Sequence, residues 1–526
     1  MEGSPMPARV LILGGGFGGM FTARALARLP AGQVTVELVD EHNYFVFQPL
    51  LPEVAAGTLN PSDAVTPFRH LLPGVKVNEA RVVGIDLAAR RVEVVHPARR
   101  RVRAIAFDHL VIALGTRVDL SRFPGLSEHA FLMKDLADAF ALRNHVIDCL
   151  EQADTTDDFA LKRRLLTFAV IGGGLSGVET MGEIEDMISR ALRSYPRIRR
   201  DEVRLVLAEF RPRILPEVPA RLADYSHRAL GRRGVEVITG AGVKAASAEA
   251  VELADGRVVE TATIIATIGN SPHPLVAELP LPRQKGRVLT DHTLRVEGRE
   301  DVWAIGDCAW IPLDGDEFPA TPPTAQAARQ EAAVLAHNLG VATGGRGGMR
   351  RFQYRSRGQL ASLGGRRGVA EIGGRQLTGW PAWVLWRAAY LGMLPGKAFK
   401  LRVGFDWLLD SLIPRNLVQI AQTRPSAVRR ARFRAGDEVY RRGDWAGPVY
   451  VVESGTFERL GGGGERAVIG PGGHFGQACM RGERLRQATV RALEESSCLT
   501  VERADFDTLA ACLEGLGEYV RTRRRG

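Results

Sequence analysis

The stretch VLILGGGFGGMFTARAL, residues 10–26, narrows what this chain can fold into more than any other. Its four apolar residues 10–13 predict a buried parallel strand, which Gly14, Gly16 and Gly19 turn into a helix expected to begin near Gly18. Each glycine has a physical task. Gly14 permits the tight turn, Gly16 lets a pyrophosphate approach the backbone, and Gly19 lets helix and strand pack closely. The free N–H groups and partial positive charge at the helix start, around Phe17, suit a phosphate. A second apolar strand, residues 34–39, ends in Asp40, where a carboxylate accepts hydrogen bonds from ribose hydroxyls. Strand, turn, helix and acid together predict a dinucleotide site.

The pattern recurs in LLTFAVIGGGLSGVETMGEIEDM. Residues 168–171 read as a strand, Gly172, Gly174 and Gly177 with Leu175 as the turn, and Glu179 as the start of the helix. The next strand, residues 203–207, leads to Glu209, farther from its glycines than the roughly 20 residues usual for the fingerprint. An acid there favours NADH over NADPH by repelling a 2′-phosphate, with Arg211 and Arg213 pulling the other way. Two such units predict one bound flavin dinucleotide and one visiting nicotinamide, with hydride passing between the rings.

Other segments fall in around this pair. The loop EHNYFVFQPLLPEVAAGTLNPSD, with Gln48, Pro49 and Leu50, reads either as core or as a wrap around a flavin ring. Residues 75–116 read as short strands, the last of them, 110–114, ending in Gly115. Strands resume at 235–238 and 262–266, and residues 302–305 end in Gly306-Asp307. Then PPTAQAARQEAAVLAHNL predicts a helix capped by Thr324.

Composition trims the alternatives. At 526 residues three or four domains are expected. The five cysteines (149, 308, 479, 498 and 512) form no CxxC, which argues against a zinc site or a dithiol centre, and no metal is expected. No apolar run reaches the ~20 residues needed to span a bilayer, and a first strand by Val10 leaves no room for a leader, so a reducing cytoplasmic setting is expected. The net charge of +10, concentrated at Arg415–Arg434 and Arg521–Arg525, predicts attraction to anionic surfaces.

GGGFGG, DEHNYFVFQPLLPEVAAGTL, MKDLADAFALRNHVIDCLEQA, GGGLSGVETMGEI, AIGDCA and AQAARQ occur in the order seen in the type II NADH dehydrogenases, and residues 10–420 resemble that flavoprotein family. The resemblance implies tightly bound FAD, NADH as substrate, a membrane quinone as acceptor and no proton pumping. It implies that Gly115, Gly306 and Asp307 border the flavin, with Asp307 at its ribityl-phosphate region. The helix of Ala325, Gln326, Ala328 and Gln330 would line the quinone pocket, and Glu179 would be the acid between nicotinamide and quinone. One departure is IIATIGNSP, where the family usually shows Trp-Thr-Ala-Gly.

Residues 377–416 hold four of the seven tryptophans (380, 383, 386 and 407), and Leu408, Leu409, Leu412 and Ile413 recur at helical spacing opposite Asp406 and Asp410. This segment reads as a helix lying in a membrane interface, or as one packed on the protein's own core or a dimer partner. Residues 424–434 read as a basic linker. Beyond it, Gly turns every eight to twelve residues and a closing helix predict a small β-barrel. GDEVYRRGD, YVVESG, GPGGHFG and RQATV resemble a cyclic-nucleotide-binding domain, which implies Gly476, the residue at 477, Arg486 and Gln487 as nucleotide contacts. The family's Glu is Gln477 here, which loses charge assistance to a ribose hydroxyl. Too few residues follow for a DNA-reading helix pair, so no nucleic-acid partner is expected.

The resulting expectation is an α/β protein with two Rossmann-like domains, an amphipathic segment and a C-terminal barrel. Boundaries are FAD domain 1–120 and 286–345, NADH domain 121–285, interface segment 346–423, linker 424–434 and barrel 435–520. The expected activity is NADH:quinone oxidoreduction on the cytoplasmic membrane face, with a cyclic nucleotide as candidate effector and a homodimer as candidate assembly. A sulfide:quinone reductase, a disulfide reductase and a ligand-sensing flavoprotein are the competing readings.

Overall fold

The computed structural model describes residues 6–96, 101–314, 320–419, 428–477 and 483–501. It divides into two compact units, one of Met1–Asn78 with Asp108–Ala421 and one of Glu79–Phe107 with Gln422–Gly526.

In the first unit, strand β1 (Ala8–Leu13) turns through its glycines into helix α1 (Phe17–Leu26) and pairs in parallel with β2 (Val34–Asp40). A short helix, α2 (Leu51–Ala55), and strand β3 (Lys76–Glu79) follow. Strand β4 (His109–Ile112) pairs in parallel with the other side of β1. Strand β1 is therefore central, and its run Val10 to Leu13 is buried because side chains cover both faces of a parallel sheet.

A second parallel sheet repeats the plan. Strands β5 (Ala130–Leu132), β6 (Thr167–Ile171), β7 (Arg204–Glu209), β8 (Val235–Thr239) and β9 (Thr263–Ala266) lie in the order β5-β9-β6-β7-β8. Helix α3 (Leu136–Thr155) is fixed by a reciprocal capping box between Asp135 and Asp138. Helix α4 (Leu175–Ala191) follows β6. It starts at Leu175, so Glu179 lies in its second turn and does not begin the helix. The reason is the glycine turn, whose Gly174 serves as N-cap in extended backbone, as Gly16 does for α1.

The chain then returns to the first sheet, where β10 (Val302–Ala304) pairs with β4 to give the order β10-β4-β1-β2-β3. Helix α5 (Ala325–Ala342) begins where expected, Thr324 Oγ1 accepting from the Ala327 N–H at 3.2 Å. A three-stranded antiparallel sheet, β11 (Gln359–Ser362), β12 (Gly368–Ile372) and β13 (Arg375–Gly379), leads into helices α6 (Trp380–Met393) and α7 (Lys397–Leu412). Trp386, Phe399, Val403 and Trp407 face the core.

The second unit joins a meander, Arg81–Asp86, Arg91–Val95 and Val102–Ala106, to the C-terminal strands. Those form two four-stranded antiparallel sheets around Tyr450, Val452, Phe457, Phe475 and Val490. The Arg484 guanidinium donates to the Val83 carbonyl at 3.3 Å, and the Arg101 backbone forms an isolated antiparallel β-bridge with that of Asp444. Residues 79–107 were expected inside the first domain, yet they group with the tail. The expected linker is also corrected: Val428–Phe433 is a strand paired antiparallel with Ser496–Val501. Arg430 and Arg432 point outward on alternate positions, so a basic surface hides a strand. The closing helix, Cys479, Cys512 and Arg521–Arg525 lie outside the described residues.

Candidate active site

Two glycine cradles carry the same geometry. In the first, Gly14 has φ +98°, and a Cβ on Gly19 would lie 1.8 Å from the Gly14 carbonyl oxygen, so a side chain at either position breaks the turn. Gly16 is different, with no atom within 4 Å of a Cβ position, leaving the backbone open to a ligand. Asp40 Oδ2 accepts from the Gly15 N–H at 2.6 Å and Oδ1 from the His42 N–H at 2.8 Å. The hydrogen bond that the His42 ring donates to the Asp40 carboxylate raises His42 above the usual imidazole range. Phe17 packs edge-on against Phe45 and Phe47, centroids 5.1 and 5.3 Å apart, walling the cradle.

In the second cradle, Gly172 has φ +111° and a Cβ on Gly177 would again lie 1.8 Å from a carbonyl oxygen, that of Gly172. Glu209 Oε2 accepts from the Gly173 N–H at 2.5 Å, and Oε1 from the Arg211 N–H at 2.9 Å. The longer spacing to Glu209 thus ends in the same carboxylate-to-turn contact. The departure IIATIGNSP is accommodated here, since Thr267 Oγ1 donates to the Ile171 and Gly172 carbonyls at 3.0 and 3.2 Å. Two neighbours have no counterpart in the first cradle. Glu217 Oε1 would lie 3.2 Å from a Cβ on Gly174, and Phe210 is 64 % exposed beneath the Arg211 guanidinium, 5.4 Å away. Open backbone, pinned turns and free helix starts fit two dinucleotides.

Between the cradles, Gly115 (φ +64°) is open, and the Gly306 N–H donates to Glu331 Oε2 at 2.6 Å. Burial raises Asp307, opposed by the charges of Lys134 and Arg287, and burial lowers Lys134. Lys134 donates to Thr116 Oγ1 at 3.2 Å, and its carbonyl accepts from Gln48 Nε2 at 3.1 Å. Of Gln48–Leu50, Leu50 is fully buried, so only Gln48 and Pro49 present surface. Lys134 and Glu331, the latter pushed up to about 7 by burial, were not foreseen. Glu331 carried a signal, standing three residues after Ala328 on the side of α5 that meets Gly306. Cys308 is buried, and burial pushes its thiol up to about 11, which removes it as a nucleophile.

Glu179 is buried and its Oε1 accepts from the Ser362 N–H and the Trp386 indole N–H, each at 3.0 Å. Burial pushes it up to about 8. The Tyr390 ring packs at a tilt against Trp386 with centroids 4.4 Å apart and edge-on to Phe47 at 5.9 Å. The glutamine side chains of α5 are occupied. Gln326 Oε1 accepts from Tyr354 OH at 3.2 Å and from the Arg357 N–H at 2.8 Å. Gln330 exchanges bonds with the Arg355 backbone at 2.9 and 3.2 Å. Both therefore hold residues 354–358, which run into β11 and so to Ser362 beside Glu179. The three expected catalytic residues are not in contact: Gln326 and Gln330 hold the segment ahead of β11, and Glu179 meets the last residue of that strand. Among the described residues no cluster suits a metal ion.

In the barrel, Arg486 is 3 % exposed and donates to the Gly476 and Pro448 carbonyls, each at 2.7 Å, beneath the Tyr440 ring at 4.2 Å. These two bonds engage its Nη atoms, while its Nε is buried without a hydrogen-bond partner. Gln477 is half-buried and Gln487 exposed.

Comparison with known proteins agrees with this geometry. The profile of the pyridine nucleotide-disulphide oxidoreductases matches residues 8–332, that of the NDH2 C-terminal domain 356–416, and that of the cyclic nucleotide-binding domain 430–511. A demethylphylloquinone reductase of Synechocystis is 32 % identical over 415 residues, 77 % of this chain and 96 % of that protein. A type II NADH:quinone oxidoreductase of Mycobacterium tuberculosis is 30 % identical over 418 residues, 76 % of this chain and 86 % of that one. NDH2 of Plasmodium falciparum, solved in complex with NADH, shares the fold with a TM-score of 0.72 at 20 % identity, over 78 % of this chain and 99 % of that one. The chain belongs to the pyridine nucleotide-disulphide oxidoreductase family and, within it, to the type II NADH dehydrogenases.

Proposed function

We infer that this enzyme is an FAD-dependent, non-proton-pumping NADH:quinone oxidoreductase. The observation that carries this reading is the pair of equivalent cradles in one compact unit, Gly15 with Asp40 and Gly173 with Glu209. Residues 6–78 and 108–120 with 286–314 and 320–345 hold the FAD, and 121–285 receive NADH. Gly14, Gly16 and Gly18 take the flavin's pyrophosphate and Gly172, Gly174 and Leu175 that of NADH, while Gly19 and Gly177 let each helix pack onto its turn. Bound FAD supplies a two-electron carrier between nicotinamide and quinone. The protein's part is positioning and proton handling. Asp40 and Glu209 fix the turns, Gln326 and Gln330 shape the quinone pocket by holding residues 354–358, and Glu179 holds the proton that goes to the quinone.

Membrane association rests on α7, whose Leu401, Phe405, Leu408 and Leu412 recur at i, i+4, i+7 and i+11, with Leu401 75 % and Leu412 71 % exposed. The outward stripe includes Phe405 and Leu401, one turn and two turns ahead of the expected leucines. Among the described residues no helix is long and apolar enough to cross a membrane. The enzyme then lies on the cytoplasmic face with α7 in the lipid interface, as a monomer or a homodimer. A cyclic nucleotide is the candidate effector of the barrel, with Arg486 Nε, buried and without a hydrogen-bond partner, as the donor left for its phosphate.

Glu179→Gln tests the reading in two half-reactions. Anaerobic NADH should reduce the flavin within about twofold of the unaltered rate, while quinone reoxidises it about 100-fold more slowly, as for loss of a general acid. Equal slowing of both steps removes Glu179 from the quinone side.

A further inference from the structure

We propose that the three-stranded meander of residues 81–106 is the receptor of the C-terminal barrel. The segment that carries Arg486 docks on it, and a cyclic nucleotide held at Arg486 tightens that dock. The inference rests on the reading of a cyclic nucleotide as effector and adds the surface through which the barrel passes its state on.

Two short stretches of the barrel, 443–446 and 484–486, make the dock. The Gly443 N–H donates to the Arg486 carbonyl at 2.8 Å and the Arg486 N–H to the Asp444 carbonyl at 2.7 Å. The Ala446 N–H donates to the Arg484 carbonyl at 2.9 Å, with Trp445 opposite Leu485. Both backbone groups of Arg486 are therefore tied, while its guanidinium holds the Gly476 and Pro448 carbonyls. The same two stretches meet the meander. The Asp444 backbone bridges that of Arg101, which stands just ahead of the strand Val102–Ala106, and the Arg484 guanidinium reaches the Val83 carbonyl. Arg486 is one backbone hydrogen bond from the first contact and two residues from the second.

The meander is shaped to take this contact. In its first strand Val82 faces Val94 and Gly84 faces Glu93, so Val83 is an extra residue, a β-bulge. The bulge takes Val83 out of the ladder and leaves its carbonyl to Arg484. Val82 with Val83, and Val94 with Val95, are buried in consecutive pairs, so both faces of the meander are covered at that end. The way onward is the chain itself. It enters the meander from β3, which ends at Glu79, and leaves through Phe107 and Asp108 into β4, the strand that precedes Gly115. The Asp108 carboxylate accepts from the Arg9 N–H of β1 at 2.8 Å, so the exit is pinned to the first sheet. Coupling follows from shared order. Docking fixes 443–446 and 484–486, so a nucleotide arriving at Arg486 finds its site ordered and binds more tightly; by reciprocity it strengthens the dock by the same factor.

The test uses the full-length holoenzyme, cyclic AMP and cyclic GMP as probes, and the variants Arg484→Ala and Arg101→Pro, each aimed at one contact of the dock. Calorimetry reads nucleotide binding, and amide hydrogen exchange of residues 79–107 reads the dock. Saturating nucleotide should slow that exchange about fivefold in the unaltered enzyme, and each variant should bind the nucleotide about fivefold more weakly and gain less protection. Arg484→Ala alters only an exposed side chain and decides the matter if Arg101→Pro does not fold. Nucleotide binding with unchanged affinity in Arg484→Ala, and no slowing of exchange at 79–107 in the unaltered enzyme, would overturn the dock while leaving the effector reading in place. If neither nucleotide binds the unaltered enzyme, the effector reading fails and the proposal falls with it.

Discussion

The two cradles are built alike and furnished differently. Both set a glycine turn by a carboxylate from the end of the next strand, Asp40 on Gly15 and Glu209 on Gly173. Around the first, Phe17, Phe45 and Phe47 form aromatic walls and the space over Gly16 is clear. Around the second, Glu217 faces Gly174 and Phe210 stands in solvent. A walled cradle with open backbone at Gly16 suits a nucleotide that stays. One with a carboxylate at the pyrophosphate position and an open aromatic shelf suits a nucleotide that comes and goes, because bound diphosphate is opposed by like charge.

The largest effect separates the two. Gly19→Ala and Gly177→Ala each drive a Cβ to 1.8 Å from a carbonyl oxygen. Gly19→Ala should purify without flavin colour. Gly177→Ala should stay yellow yet be reduced by NADH about 100-fold more slowly, the scale of a 1 Å misplacement. Loss of flavin from both would erase the distinction.

Next in size is a pH effect on the quinone side alone. Burial holds Glu179 up to about 8, so its proton is present below that pH and lost above it. Quinone-driven reoxidation should fall about tenfold per unit above pH 8, with no such fall in Glu179→Gln. A matching fall in the NADH half-reaction would place the titration elsewhere.

Smaller effects sharpen the contrast. Glu217→Gln removes the opposing charge and should lower KM for NADH about fivefold with kcat unchanged. Phe210→Ala should raise that KM about threefold, the scale of one lost aromatic stacking contact. Steady-state kinetics read both, and a rise in KM for Glu217→Gln would mean that the carboxylate helps to hold NADH.

What the sequence made legible follows from how local each signal is. Glycine turns, buried strands and the Thr324 cap are set within a few residues, and the structure has them where the pattern put them. Glu209 was legible despite its distance because a strand end is a fixed address in this fold. The α4 start was misread by four residues, since Glu179 looks like a first-turn acid only if the glycine N-cap is overlooked. Other features depend on partners far along the chain. Ser362, Trp386 and Glu53 meet α4 from separate segments, and nothing near them announces the meeting. The grouping of residues 79–107 with the tail is equally non-local, as is the turn of Arg486 toward Gly476 and Pro448. Arg430 and Arg432 misled by composition, their charge suggesting a linker where their alternation marks a strand.

The most direct measurement is anaerobic. The purified enzyme, carrying its native flavin, is mixed with NADH and then with a soluble quinone while the flavin absorption band is followed. Bleaching by NADH and rapid recovery with quinone is the predicted result. Bleaching without recovery would contradict the quinone as acceptor, and protein without flavin would contradict the first cradle itself.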